Sequence, residues 1–226
     1  MNAARARRGA GPTRAERQAA TRAALLRAAS RSICEHGMDG ASVELIAAEA
    51  GYTKGAFYAS FTSKEDMFLA MLDERFAEQL AHFEELLEGA DDAVDVARVA
   101  AEDLLGYVYR DPQWPRLYQE FAVHAARNEA FRVEVAARHR AVRARMAALF
   151  ARWVGALGIE PVLPYEDVAA MTIAMADGFI LNRILDPELD RGLYATMSEV
   201  FLRGLIAMAP QRPAAVDADG AGGDAR

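Results

Sequence analysis

The sequence predicts an all-α protein with a small N-terminal head of three helices and a larger helical body. Apolar residues recur at helical spacing over most of the chain, no strand-like alternation of convincing length is present, and Gly or Pro marks the boundaries between periodic segments. The 226 residues are enough for two lobes. We expect a head at residues 14–62 and a body at residues 63–209. A disordered basic arm (1–13) and a disordered tail (210–226) would flank them.

Charge is distributed unevenly along the chain. Residues 1–64 contain ten Lys and Arg against five Asp and Glu, a net charge of +5, whereas residues 65–226 contain 16 against 28, a net charge of −12. A basic end favours contact with DNA, although a solvated basic helix would give the same asymmetry.

Other sequence features bear on where the protein works. One cysteine excludes an internal disulfide, and no segment reaches the roughly 20 apolar residues that a membrane helix needs. The arginines of the N-terminus are not followed by the apolar region of a secretion signal. We therefore expect a cytoplasmic protein without membrane contact.

The first helix of the head is predicted from about residue 14 to residue 36, and Gly37 ends it. Ser42 is a favourable N-cap residue for a second helix of about two turns. Its apolar face comprises Val43, Ile46, Ala47 and Ala50. Gly51 then supplies the backbone freedom that a sharp turn needs.

Thr53 can cap a third helix, predicted over roughly residues 54–61, which has two different faces. Phe57 and Phe61, four residues apart, would point inward. The outward positions carry side chains that are small or form hydrogen bonds: Thr53, Lys54, Gly55, Ala56, Tyr58 and Ser60. Such a face allows a close approach to another surface, which is typical of a recognition helix.

A further helix start follows, where two residue pairs have the capping-box spacing: Thr62 with Glu65, and Ser63 with Asp66. Lys64 lies in that first turn, and Lys54 has the same place in the helix before it. They are the only lysines in the chain. Because free amides at a helix start also attract anions, we predict that both lysines contact phosphate. Chance placement in an arginine-rich chain is the alternative.

The run GYTKGAFYASFTSKEDMF resembles the helix-turn-helix signature of the tetracycline-repressor (TetR) family of bacterial transcription regulators. The resemblance covers residues 14 to about 68, and the remainder agrees in length and all-helical pattern. One departure is that the family often has an aromatic residue at the position of Ala59 and a histidine at that of Ser60. The resemblance implies a dimer that binds DNA.

We assign the predicted DNA contacts to two groups. The first would lie at the major groove and comprises Thr53, Gly55, Ala56, Tyr58 and Ser60. The second would hold the DNA backbone and comprises Ser42, Lys54, Tyr58 and Lys64.

The body is predicted to contain six helices. Their approximate ranges are 63–88, 92–110, 115–128, 129–157, 165–185 and 189–208. Aromatic residues cluster around the proline break between the second and third of these helices, where a gap could hold an organic molecule. The predicted pocket residues are Tyr107, Trp114, Tyr118, Phe121, His124, Met171, Met175 and Asp177, and ordinary core packing is the alternative for each.

The last two helices have more apolar surface than one small lobe can cover, which predicts pairing with a second copy of the chain. The predicted interface residues are Phe179, Ile180, Ile184, Leu193, Met197, Phe201 and Leu205. Two-fold symmetry would present two recognition helices to a palindromic operator. Its half-sites would lie one helical turn apart, roughly 34 to 36 Å, or a multiple of that.

The functional hypothesis is a homodimeric repressor that a small organic effector releases from its operator. An activator, a ligand-blind regulator and a helical protein-binding module are the alternatives. The four histidines lack metal-ligand spacing, and the chain has no nucleophile elbow or phosphate-binding glycine loop. We therefore expect no metal, no cofactor and no enzymatic activity.

Overall fold

The computed structural model describes residues 13–87, 111, 113–156 and 162–208, and within these ranges all regular structure is α-helical. The eight helices of the described ranges are α1 (Arg14–Gly40), α2 (Val43–Glu49), α3 (Lys54–Tyr58), α4 (Lys64–Leu87), α5 (Trp114–Arg127), α6 (Glu129–Ala156), α7 (Tyr165–Leu185) and α8 (Gly192–Met208). The predicted all-α fold is confirmed. The predicted arm, tail, helix at 92–110 and pocket residue Tyr107 lie outside the described residues, apart from Thr13 in the arm.

Both ends of α1 follow from its sequence. Thr13 and Glu16 form a capping box, in which the Thr13 hydroxyl oxygen accepts from the Glu16 amide at 3.2 Å and the Glu16 carboxylate accepts from the Thr13 amide at 2.6 Å. Gly37 interrupts the helical backbone with φ 72° and ψ 171°. A positive φ of this kind favours glycine, so the helix changes direction at the residue predicted to end it.

Short side chains cap α2 and α3 as predicted. The Ser42 hydroxyl oxygen accepts from the Leu45 amide at 3.2 Å, and the Thr53 hydroxyl oxygen accepts from the Ala56 amide at 3.3 Å. Gly51 makes the turn between the helices with φ 77°. Helix α3 is shorter than predicted, because the Ser60 amide donates to the carbonyl of Phe57, three residues back, and tightens the chain into a turn.

Helix α4 starts with a local hydrogen-bond network. The Ser63 hydroxyl oxygen accepts from the Asp66 amide at 3.0 Å. The Asp66 carboxylate accepts from the amide and the hydroxyl of Thr62, at 2.7 and 2.9 Å. The predicted pair of Ser63 with Asp66 is therefore observed, whereas Thr62 bonds Asp66 rather than the predicted Glu65. With 24 residues the helix is about 36 Å long, so it reaches from the head into the body.

The core of the head continues into α5. Phe57 and Phe61 of the α3 segment pack in one cluster with Phe68 and Leu72 of α4, and with Leu117 and other residues of α5. Helix α5 therefore packs directly on the head, and α1 is its main neighbour there. Helix α6 packs against α4, α5 and α7, while α8 packs on α7.

The last two helices differ in how well they match the prediction. Helix α7 has the predicted bounds, but α8 begins at Gly192 rather than near Leu189. The chain between them forms turns, in which the Leu189 amide donates to the Asp186 carbonyl at 3.2 Å and the Asp190 carboxylate accepts from the Gly192 amide at 3.1 Å. By length and hydropathy alone, α7 is long and apolar enough to cross a membrane, which the sequence analysis did not predict. One such helix is weak evidence for a membrane protein. Little of that helix is buried within one chain.

Candidate nucleic-acid interface and effector cavity

The α3 segment has one buried face and one exposed face. The rings of Phe57 and Phe61 are 0% and 2% exposed and lie with centroids 5.5 Å apart. Five of the eight residues predicted to contact DNA are exposed: Ser42, Thr53, Lys54, Gly55 and Tyr58. The other three, Ala56, Ser60 and Lys64, are half-buried. Tyr52 and Thr62 border the same segment and are also exposed, and the sequence prediction did not name them.

The Tyr58 ring packs against the Phe57 ring, and about half of the Tyr58 surface remains exposed to solvent. It stands edge-on to Phe57, with centroids 5.4 Å apart, and it is 52% exposed. Lys54 Nζ lies 5.9 Å from the centroid of the Tyr58 ring and forms an ion pair with Glu44. The hydrogen bond to Glu44 is the main reason that the pKa of Lys54 is raised. Because this pair is exposed, a phosphate can replace Glu44 at little cost.

Gly55 is not required by the packing of the protein itself. A Cβ atom built at this position would meet only the Thr53 hydroxyl oxygen, at an ordinary 3.6 Å. Its φ is not in the left-handed region that favours glycine. The missing side chain therefore leaves open surface beside Tyr58.

Lys64 and Ser60 are engaged inside the head more than the sequence suggested. Lys64 Nζ donates to the Met38 carbonyl at 2.8 Å, which ties the start of α4 to the end of α1. The Ser60 hydroxyl donates to the Ala56 carbonyl at 3.3 Å, and the Ser60 carbonyl accepts from Arg22 at 3.4 Å. Two more protons of the Lys64 ammonium group are not used by this bond, so it retains capacity for a phosphate oxygen.

A second feature is a cavity of about 290 Å³ bounded by α4, α5, α6 and α7. Most of the residues that line it are apolar, and several of these are aromatic. The principal described lining residues are Phe76, Leu80, Phe83, Trp114, Tyr118, His139, Val142, Met146, Thr172, Ile173, Ala176, Asp177 and Ile180. The apolar walls and few polar groups are what a site for an organic molecule requires.

The structure places three of the eight predicted pocket residues at this cavity: Trp114, Tyr118 and Asp177. Phe121 packs instead against Phe68 in the head core, with ring centroids 5.7 Å apart. His124 lies 3.9 Å from the Glu65 carboxylate. On α7, Met175 packs against the Phe179 and Tyr194 cluster, whereas Met171 is exposed.

The helical period explains this division on α5. Trp114 and Tyr118, four residues apart, line the cavity and also touch the head core, whereas Leu117 and Phe121 pack in the head core alone. His139 was missed because it is 21 residues from Tyr118 and only the packing of α6 on α5 brings the two together.

Three polar groups meet in the apolar wall. The Tyr118 hydroxyl lies 3.0 Å from His139 Nε2. Burial raises the pKa of Asp177 to about 6, and a hydrogen bond from Tyr118 offsets part of that rise. Asp177 as a whole residue is exposed, so its carboxylate is accessible both to solvent and to a small molecule. Burial and the charge of Arg143 lower the pKa of His139, which keeps its ring neutral at pH 7.

The exposed apolar surface of α7 and α8 differs from the predicted dimer face. Phe179 and Leu205 are buried within the chain, and Ile180 lines the cavity. Ile184, Met197 and Phe201 are half-buried, and Leu193 is exposed. The most exposed large apolar residues on these helices are Leu185, Val200 and Met208, at 75%, 65% and 60%. A helical stripe shows which positions are apolar but does not show which neighbour covers them.

Among the described residues, one group could hold a metal ion by distance alone. The ligand atoms of Glu35, His36 and Glu49 lie within 4.8 Å of one another, but all three residues are exposed. Exposed acidic groups of this kind are common without a metal.

Comparison with known proteins bears on both parts of the chain. Residues 25–71 match the family described as bacterial regulatory proteins, tetR family, and residues 93–207 match the C-terminal family described as BetI-type transcriptional repressor. The HTH-type transcriptional repressor AcnR of Corynebacterium diphtheriae is 33% identical over 87 residues, which are 38% of this chain and 37% of AcnR. The chain covers 40% and 37% of the length of the first curated relatives that it matches.

Solved structures agree in fold. GusR of Salmonella enterica matches with a TM-score of 0.68 and 24% identity, over 83% of this chain and 95% of GusR. FadR of Bacillus subtilis, solved in complex with stearoyl-CoA, matches with a TM-score of 0.66 and 17% identity, over 82% of this chain and 97% of FadR. Since the C-terminal match alone spans just over half of the chain, the protein belongs to the tetR family of bacterial regulatory proteins.

Proposed function

We propose that the protein is a homodimeric transcriptional repressor, which binds an operator through α3 and leaves it when a small organic effector occupies the cavity. The exposed face of α3 carries this proposal. It combines an open Tyr58 ring, a surface cation at Lys54 and the absence of a side chain at Gly55. A face of this kind can enter a major groove closely while its cation meets phosphate. The proposal includes no enzymatic step and places the protein in the cytoplasm.

The division of the chain into a head and a body is part of the proposal. The net charge of +5 in residues 1–64 suits the DNA backbone, and the net charge of −12 in the rest does not. Residues 14–62 would form the head, although the head core also uses α4 and α5.

Helix α5 supports control by a ligand, because it forms a wall of the cavity and also packs on the head. Trp114 and Tyr118 line the cavity, while Glu120 of the same helix accepts a hydrogen bond from the Met38 amide at 3.1 Å. The Met38 carbonyl also accepts the hydrogen bond from Lys64. A ligand that moves α5 would therefore displace the junction of α1 and α4 beneath the recognition helix. Binding of ligand and DNA would then be coupled in both directions.

Pairing of two chains supports binding to a palindrome. The exposed apolar residues of α7 and α8 would be covered by the same helices of a second copy.

The effector class has to be inferred from the cavity of this chain, since at 17% identity the FadR structure shares only the fold.

The test is the salt dependence of binding to duplex DNA, measured by fluorescence anisotropy. Replacing Lys54 by Ala should lower the slope of log affinity against log salt by about one unit, because one phosphate contact is lost. Lys64→Ala should lower the slope similarly and also reduce thermal stability, because the bond to Met38 is lost.

The matched control is Arg140→Ala, which removes an exposed cation from α6 and should leave the slope unchanged. Binding that does not depend on salt, or equal slopes for the wild type and both lysine variants, would contradict a DNA-binding role for this face.

A further inference from the structure

We propose that the cavity binds a lipophilic organic cation, such as an amine attached to one or two rings, with Asp177 as its counter-ion. This inference rests on the proposed function, because it names the effector class for the same site. It is carried by the position of one carboxylate among aromatic side chains, in a wall where no described residue is Lys or Arg.

The aromatic residues of the walls favour a ligand with a positive charge over an uncharged one. Phe76, Phe83, Trp114 and Tyr118 all line the cavity. The faces of such rings attract a positive charge electrostatically, and the attraction is strongest where water is excluded. The cavity volume of about 290 Å³ lies near the lower end of the range for organic ligands, roughly 300–1,000 Å³, so a compact molecule fits best.

The hydrogen bonds around Asp177 leave it able to accept from a ligand. If neutral His139 donates its Nε2 proton to the Tyr118 oxygen, the Tyr118 proton is left to point at Asp177. This chain satisfies Tyr118 and His139 but occupies only part of the acceptor capacity of the carboxylate. The remaining capacity faces a cavity that offers it no other charged partner among the described residues.

The same geometry disfavours an anionic ligand. A carboxylate or phosphate in this cavity would lie beside Asp177, and the two negative charges would repel each other. The other titratable groups near Asp177 are Tyr118, His139 and Tyr194, and none of these supplies a positive charge at neutral pH. Two arginines act on residues of the wall, Arg143 on His139 and Arg75 over the Trp114 ring at 5.2 Å, but neither lines the cavity. An ammonium group instead gains an ion pair and ring contacts together.

The test uses three ligands with one skeleton but different charge: phenylbutylamine, phenylbutanol and phenylbutyrate. Their affinities for the full-length protein are measured by calorimetry at pH 7.5 without DNA. We expect the amine to bind about tenfold or more tightly than the alcohol, with the carboxylate weakest. In the Asp177→Asn variant the amine should bind no more tightly than the alcohol, whose own affinity should change by less than about twofold.

Asp167→Asn is the matched control, because Asp167 is exposed on the same helix and does not line the cavity. It should keep the preference for the amine. The inference is overturned if the alcohol or the carboxylate binds the wild type as tightly as the amine, or if Asp177→Asn keeps the preference. Since the wild-type comparison needs no variant and no DNA, its outcome is distinct from that of the DNA-binding test.

Discussion

Among single residues, Gly55 shows a position where folding and function make different demands. Gly37 is needed by the fold, since its φ is +72° and an added Cβ would lie 3.3 Å from the Glu120 carboxylate. Gly55 has neither constraint. We propose that its missing side chain makes room for a partner outside the chain, namely DNA.

Replacing Gly55 by Ala should raise the free energy of unfolding by about 0.5–1 kcal/mol, because alanine is the better helix former. The same change should weaken operator binding, because a methyl group would stand where the groove approaches. Thermal unfolding and anisotropy titration measure the two effects.

The control for this prediction is Gly155→Ala, at an exposed helical glycine of α6 with nothing within 4 Å of the added Cβ. It should raise stability without weakening DNA binding. Unchanged affinity in Gly55→Ala would show that the groove does not approach this position.

Asp177 should reduce folding stability at neutral pH. Its folded pKa of about 6 lies above the ordinary value of 3.8, so the folded state holds the proton more tightly than the unfolded state. Its contribution to stability is therefore fully present below about pH 4 and is lost as the pH rises through 6. Asp177→Asn should melt at a higher temperature than wild type at pH 7.5, with a smaller difference at pH 4.5. The opposite trend would mean that an opposite charge holds the carboxylate ionised.

How much could be predicted for a residue depended on the distance of its partners along the chain. Ser42 and Thr53 were identified as caps because each bonds an amide three residues away. The bond of Lys64 to Met38 joins residues 26 apart, and that of Tyr118 to His139 joins residues 21 apart. Neither could be inferred before the helices were packed.

Among the helices, α5 connects the two proposed sites. Its N-cap and its middle are attached to α1: the Gln113 side-chain oxygen accepts from the Ser30 hydroxyl at 3.4 Å, and Glu120 accepts from the Met38 amide. Periodicity predicted the bounds of this helix well. It did not show that Phe121 faces the head, because both faces of α5 are apolar and both are covered.

Replacing Glu120 by Ala should uncouple the cavity from the head. The partly buried Met38 amide would lose its acceptor, which should cost about 1–2 kcal/mol of unfolding free energy in urea titrations. A cavity ligand should then change DNA affinity less than it does in the wild type. Glu120→Gln keeps an acceptor oxygen and should show a smaller effect on both measurements. If the ligand changes the DNA affinity of Glu120→Ala as much as that of the wild type, the contact between Glu120 and Met38 does not couple the cavity to the head.

For the whole molecule, the exposed apolar surface of α7 and α8 indicates where a second copy would bind. The sequence predicted both helices, although α8 begins three residues later than expected. It placed Phe179 and Leu205 in the interface, although both are buried by neighbours within the chain. Leu185 and Val200 remain open to a partner.

Val200→Asp should convert the proposed dimer to a monomer in sedimentation velocity, because a charge would enter an apolar interface. Operator affinity should fall as well, since one head would bind at a time. Val133→Asp is the control, because Val133 is 50% exposed on α6 rather than on α7 or α8. A variant at Val200 that remains dimeric would place the interface elsewhere.

Retention of genomic DNA is the most direct test of sequence-specific binding by a dimeric repressor. The purified protein is mixed with fragments of its source genome, and the retained fragments are sequenced after washes at increasing salt concentration. We predict enrichment of a few fragments that carry palindromes, with half-sites separated by one helical turn or a multiple of it, and a steep loss of binding as salt rises. Uniform recovery of all fragments, or no recovery at any salt concentration, would contradict a sequence-specific dimeric repressor.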